Sequence, residues 1–238
     1  MRIEAEGNYD LSNFDKFKSS FENDLGSLFK MSCSFYLVDT LPKMAVFVSK
    51  YDHCLYDILA QQSSGKLSCT IPFIASNHKD LERIAKQFDI PFYFIPVAKN
   101  NKKEAEEKQL DLLKKYNVDC IVLARYMQIV SSRIIDIYPS KIINIHHSFL
   151  PAFPGAKPYH SAFNRGVKII GATSHYITEE LDAGPIIEQD IIRVSHGHEV
   201  KDFILKGQDL ERIVLLRALK LHCERKIMTY NNKTIVFN

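Results

Sequence analysis

The sequence lacks the segments that would send a protein out of a reducing compartment. None of its apolar runs is long enough to cross a bilayer, and the N-terminal stretch MRIEAEGNYDLSNF has no apolar signal-peptide core. The five cysteines are scattered, odd in number and free of any C-x-x-C pair, so they indicate no disulfide framework. We therefore expect a cytoplasmic protein without a membrane partner.

Concentrated positive charge is missing as well. The formal net charge is +3, and the charged stretch KNNKKEAEEKQLDLLKK at 99–115 mixes both signs, which is typical of a solvated helix. Because nucleic-acid-binding proteins usually carry a basic face, no nucleic-acid partner is expected. A G-x-G-x-x-G dinucleotide fingerprint is absent, and HGH at 196–198 has no third metal ligand at typical spacing, so neither cofactor nor metal is expected.

What is present from residue 44 onward is a regular alternation of strand-like and helix-like segments. The predicted strands are 44–50, 66–76, 91–97, 120–127 and 141–145, and the helices between them are 54–62, 79–88, 99–116 and 131–138. This order predicts an α/β fold with a doubly wound, mainly parallel sheet covered on both faces.

The C-terminal part of the chain changes character. Segments 167–177 and 184–194 predict a late antiparallel pair added to the parallel sheet. A long helical pattern follows over 199–227, in which Gly207 would allow a kink, and TIVF near the end predicts a last strand. Residues 44–238 are therefore expected to form one domain.

Residues 1–43 do not share that rhythm. MRIEAEG and SCSFYLVD have the pattern of strands, and NFDKFKSSFENDLGSLFK between them has the pattern of an amphipathic helix. These elements are too few to bury both sides of a sheet. They predict part of a small α+β unit that another chain or upstream residues would complete.

Polar side chains follow the strand KIINI in the stretch KIINIHHSFLPAFPGAKPYH at 141–160. Asn144 and His146 are two positions apart, so they project from the same face where the strand ends, which is where α/β sheets bind ligands. The amide of Asn144 can donate to a developing oxyanion, and the imidazole of His146 can move a proton. Asp182, in the turn ELDAGPII, can supply the carboxylate that orients His146.

These residues have a structural interpretation too. An isolated N-x-H more often only satisfies loop backbone groups, and Asp182 alone would be an ordinary turn residue. Pro151, Pro154 and Pro158 favour the catalytic interpretation, because they stiffen the loop that follows.

NIHHSFLPAFPGAKPYH, GVKIIGATSHYITEELDAGPIIEQD and VLARYM together resemble the folate-dependent formyltransferase family, and within it the formyltetrahydrofolate deformylases. The resemblance runs from about residue 44 to the C-terminus. It implies a hydrolase that converts 10-formyltetrahydrofolate to tetrahydrofolate and formate, in one-carbon metabolism and purine biosynthesis. It matches Asn144, His146 and Asp182 to the catalytic trio. The implied lining of the folate site is Leu123, Arg125, Tyr126, Met127, His175 and Gly184.

The same trio serves transfer to an amine and transfer to water. Glycinamide ribonucleotide formyltransferases carry a glycine-rich phosphate loop after the first strand, whereas the segment VSKYDHCLYDIL at 48–59 has no glycine and has Asp52 instead. The HCL within it resembles the deformylase version, and no room is expected for the RNA-binding domain of methionyl-tRNA formyltransferases. Water is thus the expected acceptor.

The resemblance further implies that residues 1–43 are the second half of an ACT regulatory domain, shortened at the N-terminus. A homo-oligomer is expected. Two alternatives stay open: a formyltransferase acting on a small unphosphorylated amine, and a folate-binding regulator without turnover. Formate release without an acceptor would distinguish the hydrolase from both.

Overall fold

A computed structural model of the chain describes residues 1–7, 13–152 and 158–237. The chain divides into two compact units, Met1–Leu41 and Pro42–Asn238. In the described part of the chain, none of the helices has the length and apolar character that spanning a membrane requires.

The first unit is mainly helical. Helix α1 (Phe14–Phe21) continues through a π-helical turn, Glu22–Gly26, into the short α2 (Ser27–Phe29). The rings of Phe17, Phe21 and Phe35 pack together with centroids 5.4–6.2 Å apart. The predicted helix is thus present, but residues 1–7 and 32–38 do not form the strands that their sequence pattern predicted. A strand needs a hydrogen-bonded neighbour, which the described part of this unit does not provide for either segment.

The second unit is built on a sheet of seven strands. In chain order they are β1 (Met44–Val48), β2 (Ile74–Ser76), β3 (Phe92–Phe94), β4 (Cys120–Leu123), β5 (Ile142–His146), β6 (Ile169–Tyr176) and β7 (Ile186–Arg193). Their order in the sheet is β3-β2-β1-β4-β5-β6-β7. The first five are parallel, and β6 and β7 add the antiparallel pair that the sequence predicted.

Helices cover both faces of this sheet. They are α3 (His53–Ser63), α4 (Glu82–Gln87), α5 (Lys102–Lys115), α6 (Ser132–Ile137), α7 (Pro158–Arg165) and α8 (Val200–Cys223). Helices α3, α4 and α8 pack their apolar residues on one face. Helices α5 and α6 pack on the other, where Phe47 and Phe73 are at most 1% exposed. Burial on both faces explains why the strands are continuous apolar runs.

The long helix α8 runs without interruption from Val200 to Cys223, so Gly207 does not break it, and a kink there stays a prediction. Gly207 serves packing instead: a Cβ there would lie 2.1 Å from the ring of Tyr159. After α8 the chain forms a hairpin of β8 (Ile227–Tyr230) and β9 (Lys233–Val236), of which only the last strand was predicted.

The order of the strands creates a topological switch point. From β1 the chain moves outward to β2 and β3, and then returns to β4 on the other side of β1. Loops after β1 and β4 therefore leave in opposite directions and open a crevice at the carboxyl ends of the strands, the usual ligand position in such folds.

Candidate active site

Strand β5 carries two polar side chains to the carboxyl edge of the sheet. Asn144 lies between Leu123 of β4 and His175 of β6, and His146 ends the strand. Both strand neighbours are in place, so the backbone that presents these side chains is held on both sides.

Asp182 reaches this edge from the turn between β6 and β7. Its Oδ1 lies 3.3 Å from Nδ1 of His146, and the two side chains are 13% and 6% exposed. The hydrogen bond from His146 is the main reason that the pKa of Asp182 is lowered, and it outweighs the opposing effect of burial. Asp182 is therefore a carboxylate that accepts a hydrogen bond from Nδ1–H, which fixes the orientation of the imidazole.

The other ring nitrogen of His146 is the unusual group in this arrangement. Nε2 is buried and has no hydrogen-bond partner among the described residues. Buried polar atoms are normally paired, and exceptions are typical of sites that await a ligand or a reacting group. The geometry thus leaves one nitrogen of His146 available to a bound molecule while the other is held by Asp182.

His175 orients the amide of Asn144. Nδ2 of Asn144 lies 3.2 Å from Nε2 of His175, and Nδ1 of His175 donates to the carbonyl of Tyr176 at 2.9 Å. Burial lowers the pKa of His175, so the ring is neutral and its Nε2 accepts from the amide. The 3.8 Å contact between His175 and Asp182 is consequently not an ion pair. The second N–H of Asn144 is left to donate elsewhere.

The backbone of the Asp182 turn is tightly constrained. Asp182 has a left-handed φ of +57°, which aspartate tolerates better than most residues. At Gly184 a Cβ would lie 1.8 Å from the carbonyl oxygen of Tyr176, so the turn passes too close to β6 for any side chain. This close approach explains the glycine that the sequence analysis assigned to the site.

The segment Leu123–Met127 lies beside the catalytic strand, but its side chains point into different surroundings. Leu123 and Tyr126 belong to the core, and the hydroxyl of Tyr126 accepts from Gln109 at 2.9 Å. Met127 is 47% exposed, and its backbone N–H donates to the hydroxyl of Ser49. Met127, rather than the buried side chains of Leu123 and Tyr126, is therefore the exposed part of the segment.

The loop after β5 is held by hydrogen bonds as well as by prolines. The hydroxyl of Ser148 donates to the carbonyl of Ala152 at 2.7 Å, and Thr173 links Ser148 to Leu150. Pro154 lies outside the described residues. The sequence analysis did not anticipate Thr173, because a threonine in an apolar strand gives no pattern of its own.

Sequence reasoning also missed Glu211, which is fully buried on α8. One carboxylate oxygen accepts from the hydroxyl of Tyr159, and the other accepts from Nε2 of His53 at 2.8 Å. Arg125, with a left-handed φ of +61°, places its Nε 3.5 Å from the same oxygen and its guanidinium over the ring of Tyr51. Burial alone would raise the pKa of Glu211, but the hydrogen bond from His53 and the charge of Arg125 lower it.

This buried network stands at the switch point, next to the histidines. His53 follows β1 and Arg125 follows β4, and the ring of Tyr159 lies 5.7 Å from that of His147, which in turn lies 5.2 Å from His146. For the segment around Glu211, the sequence predicted only a helix. A charged residue on the apolar stripe of a helix was the one signal that could have found it.

Donor atoms of His53, Cys54 and Glu211 lie within 4.8 Å of one another, as a metal site would require. The chemistry of this set fits a metal poorly. The Arg125 cation is already paired with Glu211, and burial raises the pKa of the Cys54 thiol, which therefore keeps its proton.

Comparison with known proteins identifies the fold and its close relatives. The formyl transferase family matches residues 42–219. Formyltetrahydrofolate deformylases of Synechocystis and Bacillus subtilis are 56% and 46% identical to this chain, over 84% and 100% of its length and 70% and 79% of theirs. The crystal structure of a formyltetrahydrofolate deformylase from Pseudomonas syringae has a TM-score of 0.92 at 43% identity, over 97% of this chain and 76% of that one.

Transferases with the same fold are more distant. A glycinamide ribonucleotide transformylase from Symbiobacterium toebii is 27% identical with a TM-score of 0.79, over 87% of this chain and 99% of its own. Identity and TM-score both separate the two groups of relatives. The chain therefore belongs to the formyltetrahydrofolate deformylase family.

Proposed function

We propose that the protein hydrolyses 10-formyltetrahydrofolate to tetrahydrofolate and formate, with Asn144, His146 and Asp182 as its catalytic residues. The observation that carries the proposal is the state of His146. Its Nδ1 is held by the Asp182 carboxylate, while its buried Nε2 has no partner among the described residues. An imidazole held in this way resembles the general base of other acyl-transfer sites.

The hydrolysis needs only water and the side chains of Asn144, His146 and Asp182. Nε2 of neutral His146 removes a proton from water as the water oxygen attacks the formyl carbon. The free N–H of Asn144 donates to the oxyanion that forms, and Asp182 stabilises the imidazolium. His146 then gives its proton to N10 of the folate as the C–N bond breaks, which releases formate and tetrahydrofolate. No step needs a metal or a cofactor.

The folate would lie over the carboxyl ends of β4 and β5. We assign Leu123, Arg125, Tyr126, Met127, His175 and Gly184 to this pocket. The exposed side chain of Met127 and the polar backbone that follows β4 suit a flat heterocycle with donors and acceptors at its edge. His175 contributes indirectly, through its hydrogen bond with Asn144.

Water is the proposed acceptor because the polar groups beside the site are already paired. The segment after β1 places Asp52 at the beginning of α3, and His53 donates to the buried Glu211. An aspartate at that position disfavours a phosphate. A charged amine would have to compete with His53, Tyr159 and Arg125 for the one buried carboxylate.

Further proposals concern the cellular setting. We place the reaction in one-carbon metabolism, as a supply of formate for purine biosynthesis, and the protein in the cytoplasm, where its five free cysteines would stay reduced. The first unit is proposed to be part of an ACT regulatory domain. It leaves Leu28, Phe29 and Val38 64–76% exposed, which favours a homo-oligomer that covers them.

The test is incubation of the protein with 10-formyltetrahydrofolate and no acceptor, with formate and tetrahydrofolate both measured. Equimolar release of the two products is expected. Release only on addition of a small amine would favour the formyltransferase alternative, and tight binding without turnover would favour a folate-binding regulator.

A further inference from the structure

The hairpin of β8 and β9 makes little contribution to the core. Five of the eight residues in its two strands are exposed, and it lies outside the residues that match the formyl transferase family. It nevertheless contacts β7, the edge strand that begins just after the Asp182 turn.

Two side chains of the hairpin bond to the Asp182 turn. The amide of Asn232 donates to the carbonyl of Ala183 at 2.9 Å, and the hydroxyl of Thr234 donates to the carbonyl of Ile186 at 2.5 Å. Ala183 is the neighbour of Asp182, and Ile186 begins β7. The two bonds therefore fix the backbone from which the Asp182 side chain projects.

The geometry of the hairpin explains how Asn232 reaches this position. Asn231 and Asn232 form a two-residue turn with left-handed φ values of +45° and +56°. This is the type I′ geometry that best fits the twist of a hairpin and that asparagine adopts readily. The base of the hairpin is closed by a hydrogen bond from Phe237 N–H to the Lys226 carbonyl.

Gly184 holds the end of the Asp182 turn close to β6, but residues 181–183 have few restraints of their own. Asp182 has a left-handed backbone conformation, which relaxes easily unless other contacts hold it. The Ala183 N–H reaches the Glu180 carbonyl only at 3.4 Å, and Leu181 is 66% exposed. We propose that Asn232 and Thr234 are positioning residues, which hold the Asp182 turn so that its carboxylate stays on Nδ1 of His146. The catalytic consequence rests on the function proposed above for Asp182.

The experiment compares Asn232→Gly with Asn231→Gly. Glycine preserves the left-handed turn at either position, but only Asn232→Gly removes a donor to the Asp182 turn. We expect Asn232→Gly to lower kcat about three- to tenfold with KM nearly unchanged, since one hydrogen bond is lost and the folate pocket is intact. Asn231→Gly should keep the parent kcat.

A second pair tests the other side of the turn. Thr234→Val removes the hydroxyl at nearly constant shape, whereas Thr234→Ser retains it. A similar loss of kcat is expected in Thr234→Val, with recovery in Thr234→Ser. Equal kcat in all four variants, in a parent that hydrolyses the substrate, would overturn the inference and leave the proposed function standing.

Hydrogen–deuterium exchange supplies a readout that needs no activity. Peptides covering residues 179–186 should exchange faster in Asn232→Gly than in Asn231→Gly, whatever the reaction of the protein is. Unchanged exchange would refute the positioning role even if kcat fell. A parent that releases no formate would refute the proposed function, and the exchange data would still decide whether the hairpin holds the turn.

Discussion

At the scale of single residues, the site depends on which hydrogen-bonding atoms of each polar side chain are already paired and which are left for the substrate. His146 has one nitrogen on Asp182 and one without a partner in the described chain, and Asn144 has one N–H on His175. The remaining nitrogen and the remaining N–H are those that the proposed reaction uses. His175 is neutral because it is buried, and this is why it can accept from Asn144.

Substitution of Asn144 or His146 tests these roles most directly. Asn144→Ala and His146→Ala are each expected to lower kcat at least about 100-fold. Loss of the Asn144 oxyanion donor costs about 2.7–4 kcal/mol of barrier, and loss of the His146 general base removes a contribution of about 10²- to 10⁴-fold. Steady-state formate release measures the effect, and circular dichroism controls for folding. Turnover near that of the parent in either variant would contradict the assigned role.

Gly184 gives a prediction of another kind. Gly184→Ala should reduce both stability and kcat, because the new Cβ would press on the Tyr176 carbonyl and move the Asp182 turn. Thermal unfolding and kinetics measure the two effects. Gly65→Ala is a control for helix-end glycines: it has a positive φ but open space around it, so it should lower stability without affecting kcat.

Sequence could supply the trio but not its supporting residues. Asn144, His146 and Asp182 belong to a motif whose spacing is visible, while Glu211 and Thr173 are single polar residues inside apolar patterns. Their importance comes from contacts with residues far along the chain, such as Glu211 with His53. Tertiary contacts of this kind leave no local signature.

At the scale of elements, Glu211 joins three helices and one loop. It lies on α8 and bonds to α3 through His53, to α7 through Tyr159, and to the loop after β4 through Arg125. Gly207, one turn earlier on α8, gives Tyr159 the space to reach it. Removal of one partner of such a buried pair leaves the other charge uncompensated.

Glu211→Leu should therefore be strongly destabilising, by about 3–5 kcal/mol, because it leaves the buried guanidinium of Arg125 without its carboxylate. Tyr159→Phe removes one neutral donor and should cost less, about 1–3 kcal/mol. Urea denaturation measures both free energies of unfolding. Equal values for the two variants would contradict the network described here.

The contact of α8 with β6 makes stability depend on pH. His222 is buried and accepts from the hydroxyl of Tyr176 at 2.8 Å, and burial lowers its pKa to about 4. The imidazole of His222 takes up a proton near pH 6.5 in the unfolded chain, but only near pH 4 in the folded chain. Stability is thus lost as the pH falls through this window, by up to about 3 kcal/mol, and is unaffected by this group above it.

The matched variant is His222→Gln, which keeps an acceptor for Tyr176 but cannot take up a proton. Its free energy of unfolding should vary less between pH 6.5 and pH 4 than that of the parent. Urea denaturation across this range measures the difference. Parallel curves for the two proteins would show that His222 does not contribute to the acid sensitivity.

Elements were predictable where their pattern is long. The strands and helices from β1 to β7 follow apolar runs and helical spacing, except for α7 (Pro158–Arg165), which was not predicted. The order of the strands gave the doubly wound sheet with its antiparallel pair. Boundaries were less predictable: the expected strand 66–76 is only Ile74–Ser76, since residues 66–73 form just one isolated bridge, between Thr70 and Lys43. The first strand of the hairpin, Ile227–Tyr230, was absorbed into the helical pattern before it.

At the scale of the whole molecule, every residue of the proposed site lies in the second compact unit. The trio, the folate-site residues, the Glu211 network and the hairpin all fall within Pro42–Asn238. The sheet of this unit is complete among its own strands, with apolar clusters on both faces.

A variant comprising residues 42–238 should consequently fold and hydrolyse 10-formyltetrahydrofolate with kcat within about twofold of the full chain, since domains with their own core fold independently. Circular dichroism and formate release measure the two properties, and the same variant with Asn144→Ala is the control for contaminating activity. A folded but inactive variant would mean that the first unit acts on the site. Any effector that changes the rate of the full chain should have no effect on the shorter one, because the proposed regulatory unit would be absent while Asp182 and His146 keep their contact.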